Sequence, residues 1–309
     1  MTSITRTRGV VAPGFEEVRA EFERNFAERG EIGAAVAAYW RGEKVVDLWG
    51  GRRTPENDAP WEEDTVVVVM STTKGLAAMT LAVANARGWV DYDAPVARYW
   101  PEFAQNGKAL VTVRQLLGHE AGLVLLDEQL TLDKLRDLDY MARLLARQRP
   151  AWSPGTRHGY HTMTLGLYMQ ELIRRVDPAH RTLGHFFHDK IAVPLGLVFY
   201  IGLPREISDD RLAKVKPLSR WGGLLALRYT PAAVTMKMIR PGSLLRRSFV
   251  GLGVADPDAR LGYAYVMNKL DFYLENDPRE KALRDAVYRA IGRLTEGAPA
   301  VELMAIERC

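Results

Sequence analysis

The feature that most constrains this chain is residues 66–76, which read Val-Val-Val-Val-Met-Ser-Thr-Thr-Lys-Gly-Leu. A run of β-branched residues predicts a buried strand or an extended lead-in. Leu76, Met79, Leu81 and Val83, set among small alanines, then predict a buried helix that ends before Gly88. Ser71 therefore opens a helix. Lys74 stands three residues on, about one turn away on the same face, within reach of the Ser71 hydroxyl.

A serine hydroxyl is a weak nucleophile until a base takes its proton, and lysine is such a base only where burial and nearby positive charge favour the free amine. The start of a buried helix offers both, because its free N–H groups and dipole favour a developing alkoxide and disfavour an ammonium. With seven serines and ten lysines in 309 residues, chance alone gives roughly 0.2 Ser-x-x-Lys matches. The chain contains one. The competing reading is a serine that caps a helix beside a solvated lysine.

At 47% hydrophobic and 26% charged, the sequence is that of an ordinary globular protein with a large core in one or two domains. Its net charge is +4, but the basic residues are interleaved with acids and form no long run, so no nucleic-acid partner is expected. The single cysteine, Cys309, excludes an intrachain disulfide and a cysteine-rich zinc site. No metal or cofactor is expected. Residues 1–15 carry Arg6 and Arg8 without an apolar signal-peptide core, and no uncharged apolar stretch is long enough for a membrane span. The expectation is a soluble cytoplasmic protein, with a transit peptide as the alternative for the first residues.

In chain order, Phe15, Val18, Phe22 and Phe26 recur at helical spacing and predict an amphipathic helix over 13–29. Two β-rich runs, 32–40 and 44–49, flank Arg41-Gly42-Glu43 and predict a hairpin whose second strand ends at Gly50-Gly51. From 91 to about 238, short helical patterns are broken by Pro95, Pro101, Pro154, Pro178, Pro194 and Pro217. Strand character returns at 249–254 and 261–267 around the turn Asp256-Pro257-Asp258, and a helix follows at 278–294. Helix and hairpin at one end with hairpin and helix at the other predict one antiparallel sheet built from both termini. The organisation expected is a single catalytic domain over 1–309, with a sheet part at 13–88 and 245–309 and a helical insert at 89–244.

Three ordered motifs carry a resemblance to a known family. They are Ser71-Thr72-Thr73-Lys74, the stretch 112–123 (Thr-Val-Arg-Gln-Leu-Leu-Gly-His-Glu-Ala-Gly-Leu), and Trp152-Ser153-Pro154-Gly155 followed by Tyr160. Together they resemble the serine β-lactamase and penicillin-binding-protein superfamily, in the class C-like branch that contains family VIII carboxylesterases; the Ser-x-x-Lys element is one of its catalytic motifs. Residues 255–263 and 266–268 resemble the closing strands of the same branch, so the similarity runs from about 13 to 294.

The resemblance implies an α+β, β-lactamase/DD-peptidase-like three-layer sandwich, an antiparallel sheet flanked by helices, with a mostly helical subdomain over the nucleophile. It implies that Ser71 is acylated, that Lys74 assists its deprotonation, and that Tyr160 is the tyrosine of the second motif, able to shuttle a proton. The bland reading of Tyr160 is a buried aromatic with a satisfied hydroxyl. His161 and Thr162 follow Tyr160 where many β-lactamases have an asparagine two positions on, which favours an esterase. Residues 244–251 stand where the family carries its third motif and hold no Lys-Thr-Gly or His-x-Gly tripeptide; set against the family, the chain looks like one with an internal deletion at this point. The resemblance implies that one donor to the oxyanion goes with that motif, unless a shifted strand brings Gly251 or Gly253 into its place. Loss of such a donor costs about 2.7–4 kcal/mol elsewhere, and the exposed sheet edge predicts a tendency to self-associate.

Weaker constellations point elsewhere. Ser153 resembles a Gly-x-Ser-x-Gly elbow in part but lacks the first glycine and a preceding strand. His185, His188 and Asp189 read as a polar face more readily than as metal ligands, and His119 reads as a structural residue in a helix-end turn. The function expected is a serine hydrolase, a carboxylesterase acting on a small-molecule ester through Ser71, Lys74 and Tyr160. Two alternatives stay open: a catalytically impaired or truncated relative serving as an interaction module, and a β-lactamase or DD-peptidase acting on amides.

Overall fold

The tightest local constraint is the turn Arg41-Gly42, whose φ values of 53° and 89° supply the two left-handed residues that a two-residue hairpin needs. It joins β2 (Gly33–Trp40) to β3 (Glu43–Gly51) in antiparallel register. The computed structural model describes residues 7–128, 130–216, 254–256, 261–267, 269 and 277–295. Within these, β1 (Thr7–Val11) pairs with β3, while β5 (Leu261–Met267) pairs with β2 and β4 (Val254–Asp256) with β5, giving the order β1-β3-β2-β5-β4. Residues 34–40 thus lie against 261–267, so both ends of the chain build one antiparallel sheet. The expected α+β class, a sheet flanked by helices, is the class adopted.

The described chain divides into two compact units, one holding 7–68, 208–216 and the described residues from 254 onward, the other 69–207. In the first, α1 (Glu16–Glu28) and the last described helix, α9 (Pro278–Leu294), pack together on one sheet face. Their core consists of Phe15, Val18, Phe22, Leu283, Ala286, Val287 and Ala290 against Ala34, Val36, Ala38 and Leu48. The alternation along β2 turns these small side chains toward the helices, as a period of two dictates.

A buried polar cluster joins the two helices of this unit. Arg279, 1% exposed, donates to Glu31 Oε1 at 3.4 Å and to Asp277 Oδ2 at 2.6 Å, and its carbonyl accepts from Asn25 Nδ2 at 3.1 Å. The Tyr265 hydroxyl donates to the other Glu31 oxygen. Burial raises the Glu31 pKa against the opposing pull of Arg279 and Tyr265. A raised folded-state pKa means that this carboxyl adds stability at acidic pH and loses that contribution as pH rises through the folded value. Glu31→Gln is therefore expected to cost little at neutral pH. Arg279→Met, which leaves Glu31 and Asp277 buried without their cation, is expected to cost about 3–5 kcal/mol, read as the loss in urea-unfolding free energy. Pairing it with Glu31→Gln should return part of that loss; equal costs for the single and double variants would place the effect in packing alone.

The second unit is helical. Its elements are α2 (Thr72–Ala86), α3 (Val113–Leu117), α4 (Leu132–Arg136), α5 (Leu138–Arg147), α6 (Thr164–Val176), α7 (Leu183–Phe187) and α8 (Val193–Leu195). Ala77, Leu81 and Ala84 of α2 share a core with Leu165, Tyr168, Met169 and Leu172 of α6, together with Trp100, Phe103, Leu116 and Leu145. Lys108, fully buried, donates to the carbonyls of Gln105, Ala146 and Gln148 at 2.8–3.0 Å, holding the carbonyl end of α5. Burial brings its pKa down to about 8.

One open alternative is decided here, in favour of an extended lead-in, and one expectation changes. Residues 66–70 are not a buried strand: Val66 makes one parallel bridge to Leu212, while Val68 is 63% and Met70 52% exposed. β-Branching favours extended backbone without requiring a ladder, and residues 211–213 offer this run only one bridge. Helix α2 is buried on one face only, through Ala77, Thr80, Leu81 and Ala84, and Met79 faces outward. Its end is as expected, with Gly88 at φ 71° and the Trp89 N–H reaching the Ala84 carbonyl in a Schellman turn. β1 escaped the sequence reading, because Thr-Arg-Gly-Val-Val is short and carries a glycine at φ 102°. Residues 249–253 and 257–258 of the expected C-terminal hairpin and 217–238 of the helical insert lie outside the described residues.

Candidate active site

Met70 adopts φ 47°, an uncommon left-handed conformation for a residue with a side chain, and turns the extended segment sharply into α2. Ser71 follows as the first residue of that turn. The N–H groups of Thr72, Thr73 and Lys74 are taken by the carbonyls three residues back, at 3.2, 3.2 and 2.9 Å. Among the described residues the Ser71 N–H donates to nothing, and its hydroxyl does not cap the helix. That hydroxyl instead accepts a hydrogen bond from Lys74 Nζ at 2.9 Å.

The second side of the cluster is the loop that leads into α6. Trp152 closes on Gly159, where a Cβ would sit 2.2 Å from Trp152 Cη2, and its indole N–H is fixed by the Arg157 carbonyl at 3.1 Å. Tyr160 comes next and is 45% exposed. Its ring, rather than its hydroxyl, faces the lysine: Lys74 Nζ stands 4.9 Å from the ring centroid, a cation–π distance. Ser71, Lys74 and Tyr160 are thus brought together within the helical unit.

His119 flanks Tyr160 on another side, with ring centroids 4.8 Å apart. It sits at φ 63° in the turn after α3, whose start is fixed by a reciprocal capping box between Thr112 and Gln115. Burial lowers its pKa, and Lys74 and His158 lower it further. His161 is fully buried, and burial, with a smaller contribution from His119, brings its pKa down to about 3. Its Nε2 accepts from the Leu123 N–H at 3.1 Å, so its proton resides on Nδ1. Among the described residues that Nδ1 and the hydroxyl of the adjoining Thr162 have no hydrogen-bond partner.

The remaining candidates do not converge on this place. Ser153 lies exposed in a turn, not on a strand-to-helix elbow. His188 bonds Asp189 at 3.1 Å, and Asp189 pairs with Arg181 at 3.2 Å, so the expected polar face is internally paired. Among the described residues no group of three or more His, Cys, Asp or Glu side chains is arranged to hold a metal, and no helix is long and apolar enough to cross a membrane. Residues 244–251, the place of the third motif, lie outside the described residues. The contact of His119 with Tyr160 was missed in the sequence, since the two residues stand far apart in the chain; the only signal was that both fall inside the motif stretches.

Comparison with known proteins bears on the same residues. The sequence profile of the family described as Beta-lactamase matches residues 18–235. The esterase/beta-lactamase LipL of Mycobacterium tuberculosis is 37% identical over 213 residues, which cover 68% of this chain and 48% of LipL. Esterase EstB of Burkholderia gladioli is 35% identical over 108 residues, 34% of this chain and 28% of EstB. The chain thus spans about half the length of LipL and less of EstB. Among solved structures, a family VIII carboxylesterase superposes with a TM-score of 0.77 at 31% identity, covering 92% of this chain and 100% of that one. A penicillin-binding protein homolog from Caulobacter crescentus gives a TM-score of 0.75 at 29% identity over 92% of this chain and 100% of its own.

Proposed function

As the chain belongs to the Beta-lactamase family, in its family VIII carboxylesterase-like branch, we propose that it is a serine hydrolase cleaving small carboxylic esters through an acyl-enzyme on Ser71. The observation that carries the reading is the 2.9 Å hydrogen bond between Lys74 Nζ and Ser71 Oγ at the start of α2. Lys74 takes the hydroxyl proton as Ser71 Oγ attacks the ester carbonyl. The negative charge moves to the carbonyl oxygen, where the unengaged Ser71 N–H and the helix dipole favour it. The C–O bond to the alcohol then breaks, the leaving alkoxide takes the proton back, and water repeats the sequence to release the acid.

The Tyr160 ring stands 4.9 Å from Lys74 Nζ, and a turn of its exposed side chain toward the amine would let its hydroxyl relay the proton between Lys74 and the leaving group. Phenylalanine at this position keeps the ring beside Lys74 Nζ and removes only the hydroxyl. Tyr160→Phe is expected to lower kcat about 100-fold, with KM little changed. A change confined to KM would make Tyr160 a residue that binds substrate.

The decisive measurement is the intact mass of the protein after reaction with a fluorophosphonate, with peptide mapping of the labelled serine, alongside turnover of a short-chain p-nitrophenyl ester. A single adduct on Ser71 with ester turnover supports the proposal. An adduct without turnover favours the catalytically impaired relative, and an adduct on another serine overturns the assignment.

A further inference from the structure

His119 touches the backbone on both sides of Tyr160. Its carbonyl accepts from the Gly159 N–H at 3.0 Å, and its Nδ1 accepts from the His161 N–H at 2.9 Å. One residue therefore holds the N–H of the residue before the tyrosine and the N–H of the residue after it. Its ring also packs against that tyrosine. The φ of 63° lets backbone and side chain of His119 face the same segment, a conformation that a β-branched residue would not tolerate.

The rest of the junction is laced across the same two segments. The Leu123 N–H donates to His161 Nε2 at 3.1 Å, the Thr164 hydroxyl donates to the Leu123 carbonyl at 2.6 Å, and the Gly155 N–H donates to the Glu120 carbonyl at 3.1 Å. Only one of these bonds depends on the ionisation of a solvent-reachable side chain. His119 Nδ1 accepts only while it carries no proton, so the neutral ring bears its hydrogen on Nε2. A protonated ring donates from both nitrogens and would set an N–H against the His161 N–H.

We propose that His119 is a positioning residue that holds Tyr160 in register with Lys74 and Ser71 through these two backbone hydrogen bonds, and that its protonation releases this latch. The inference rests on the serine-hydrolase reading for its consequence in turnover, and on geometry alone for the latch. The groups that face the imidazole are Lys74 from α2, Glu120 beside it in the turn, and His158, Tyr160 and His161 from the loop before α6. Lys74 and His158 both oppose a charge on the ring; the carboxylate of Glu120 pairs with His158 at 3.3 Å. Because the folded-state pKa lies below the ordinary histidine value, the latch is intact at neutral pH. It is lost as pH falls through that lowered value.

Asparagine discriminates between an acceptor and a mere space-filler. Its Oδ1 occupies a position close to that of Nδ1, it tolerates left-handed backbone, and it does not titrate. In ester turnover at neutral pH, His119→Asn is expected to keep kcat within about threefold of the native protein; any acidic fall in kcat that it retains belongs to protonation of Lys74. His119→Ala should lower kcat about 10–100-fold, the scale of a misplacement of about 1 Å, with a smaller effect on KM. If Asn proves as damaging as Ala, the latch is not what fixes Tyr160.

A second readout is independent of turnover. Nitrogen-15 NMR of the native protein should show His119 Nδ1 unprotonated at neutral pH, with slow hydrogen exchange at the amides of Gly159 and His161. Acidification through the His119 titration should speed exchange at His161 in the native protein and leave it slow in His119→Asn. Fast exchange at His161 at neutral pH, or an Nδ1–H tautomer, would overturn the inference even in a protein that turns over esters. Absence of any label on Ser71 would overturn the serine-hydrolase reading while leaving these NMR outcomes to decide the latch.

Discussion

Ser71→Ala is expected to reduce hydrolysis of a short-chain p-nitrophenyl ester by about 10³-fold or more, to the level of the uncatalysed reaction, and to abolish labelling by a fluorophosphonate. The reaction as proposed has no other atom to carry the acyl group. The native fold should survive. Ser71 does not cap α2, its N–H is unengaged among the described residues, and its side chain makes one hydrogen bond, to Lys74. Removal of a single hydrogen bond at a partly exposed position costs about 1 kcal/mol, so the urea midpoint should move little. A variant that retains the label would direct attention to another serine, and Ser153 or Ser208 would be the first to map because each lies in an exposed turn or cap. A variant that loses both label and fold would be uninformative about chemistry, which is why the unfolding curve belongs to the experiment.

Much of this architecture was legible in the sequence because local rules and global fold agree there. The helix at Glu16–Glu28 follows the spacing of its phenylalanines, the hairpin at 33–51 follows from Arg41-Gly42, and the helix at Pro278–Leu294 begins where Asp277 caps it and proline occupies the first turn. The pairing of Ser71 with Lys74 was legible for the same reason: one helical turn fixes the separation. Legibility failed where tertiary context decides. Nothing local distinguishes the exposed lead-in at 66–70 from a core strand, and the apolar content of α2 says nothing about which face finds a partner. The buried Arg279–Glu31 pair and the His119–His161 bond join residues 248 and 42 positions apart, a separation at which single-sequence periodicity carries no information. His119 illustrates the limit well. Its place in a helix-end turn is legible in the sequence, but what the turn supports is visible only once Gly159 and His161 are seen to bond to it.

The role proposed for Lys74 has two physical parts, a base that takes the Ser71 proton and, once protonated, a cation beside the Tyr160 ring, from which its Nζ stands 4.9 Å. Arginine distinguishes them. A guanidinium keeps the charge and stacks well on an aromatic face, but it does not give up its proton at any pH the protein withstands. Lys74→Arg is therefore expected to preserve the arrangement of Tyr160 while lowering kcat/KM by about 10²–10³-fold, the scale of a lost general base. The loss should fall in kcat, since the ground-state contacts of an ester with this region do not require the free amine. Labelling of Ser71 should persist at a slower rate, because a fluorophosphonate is reactive enough to capture a hydroxyl without full deprotonation. Lys74→Met, which removes the charge as well, should lose the same catalytic factor. It should also raise the pKa of His119 toward its ordinary value, for Lys74 is one of the groups that lower it. Retention of most of the rate in Lys74→Arg would move the base elsewhere, and Tyr160→Phe in that background would then test whether the phenol hydroxyl takes the proton directly.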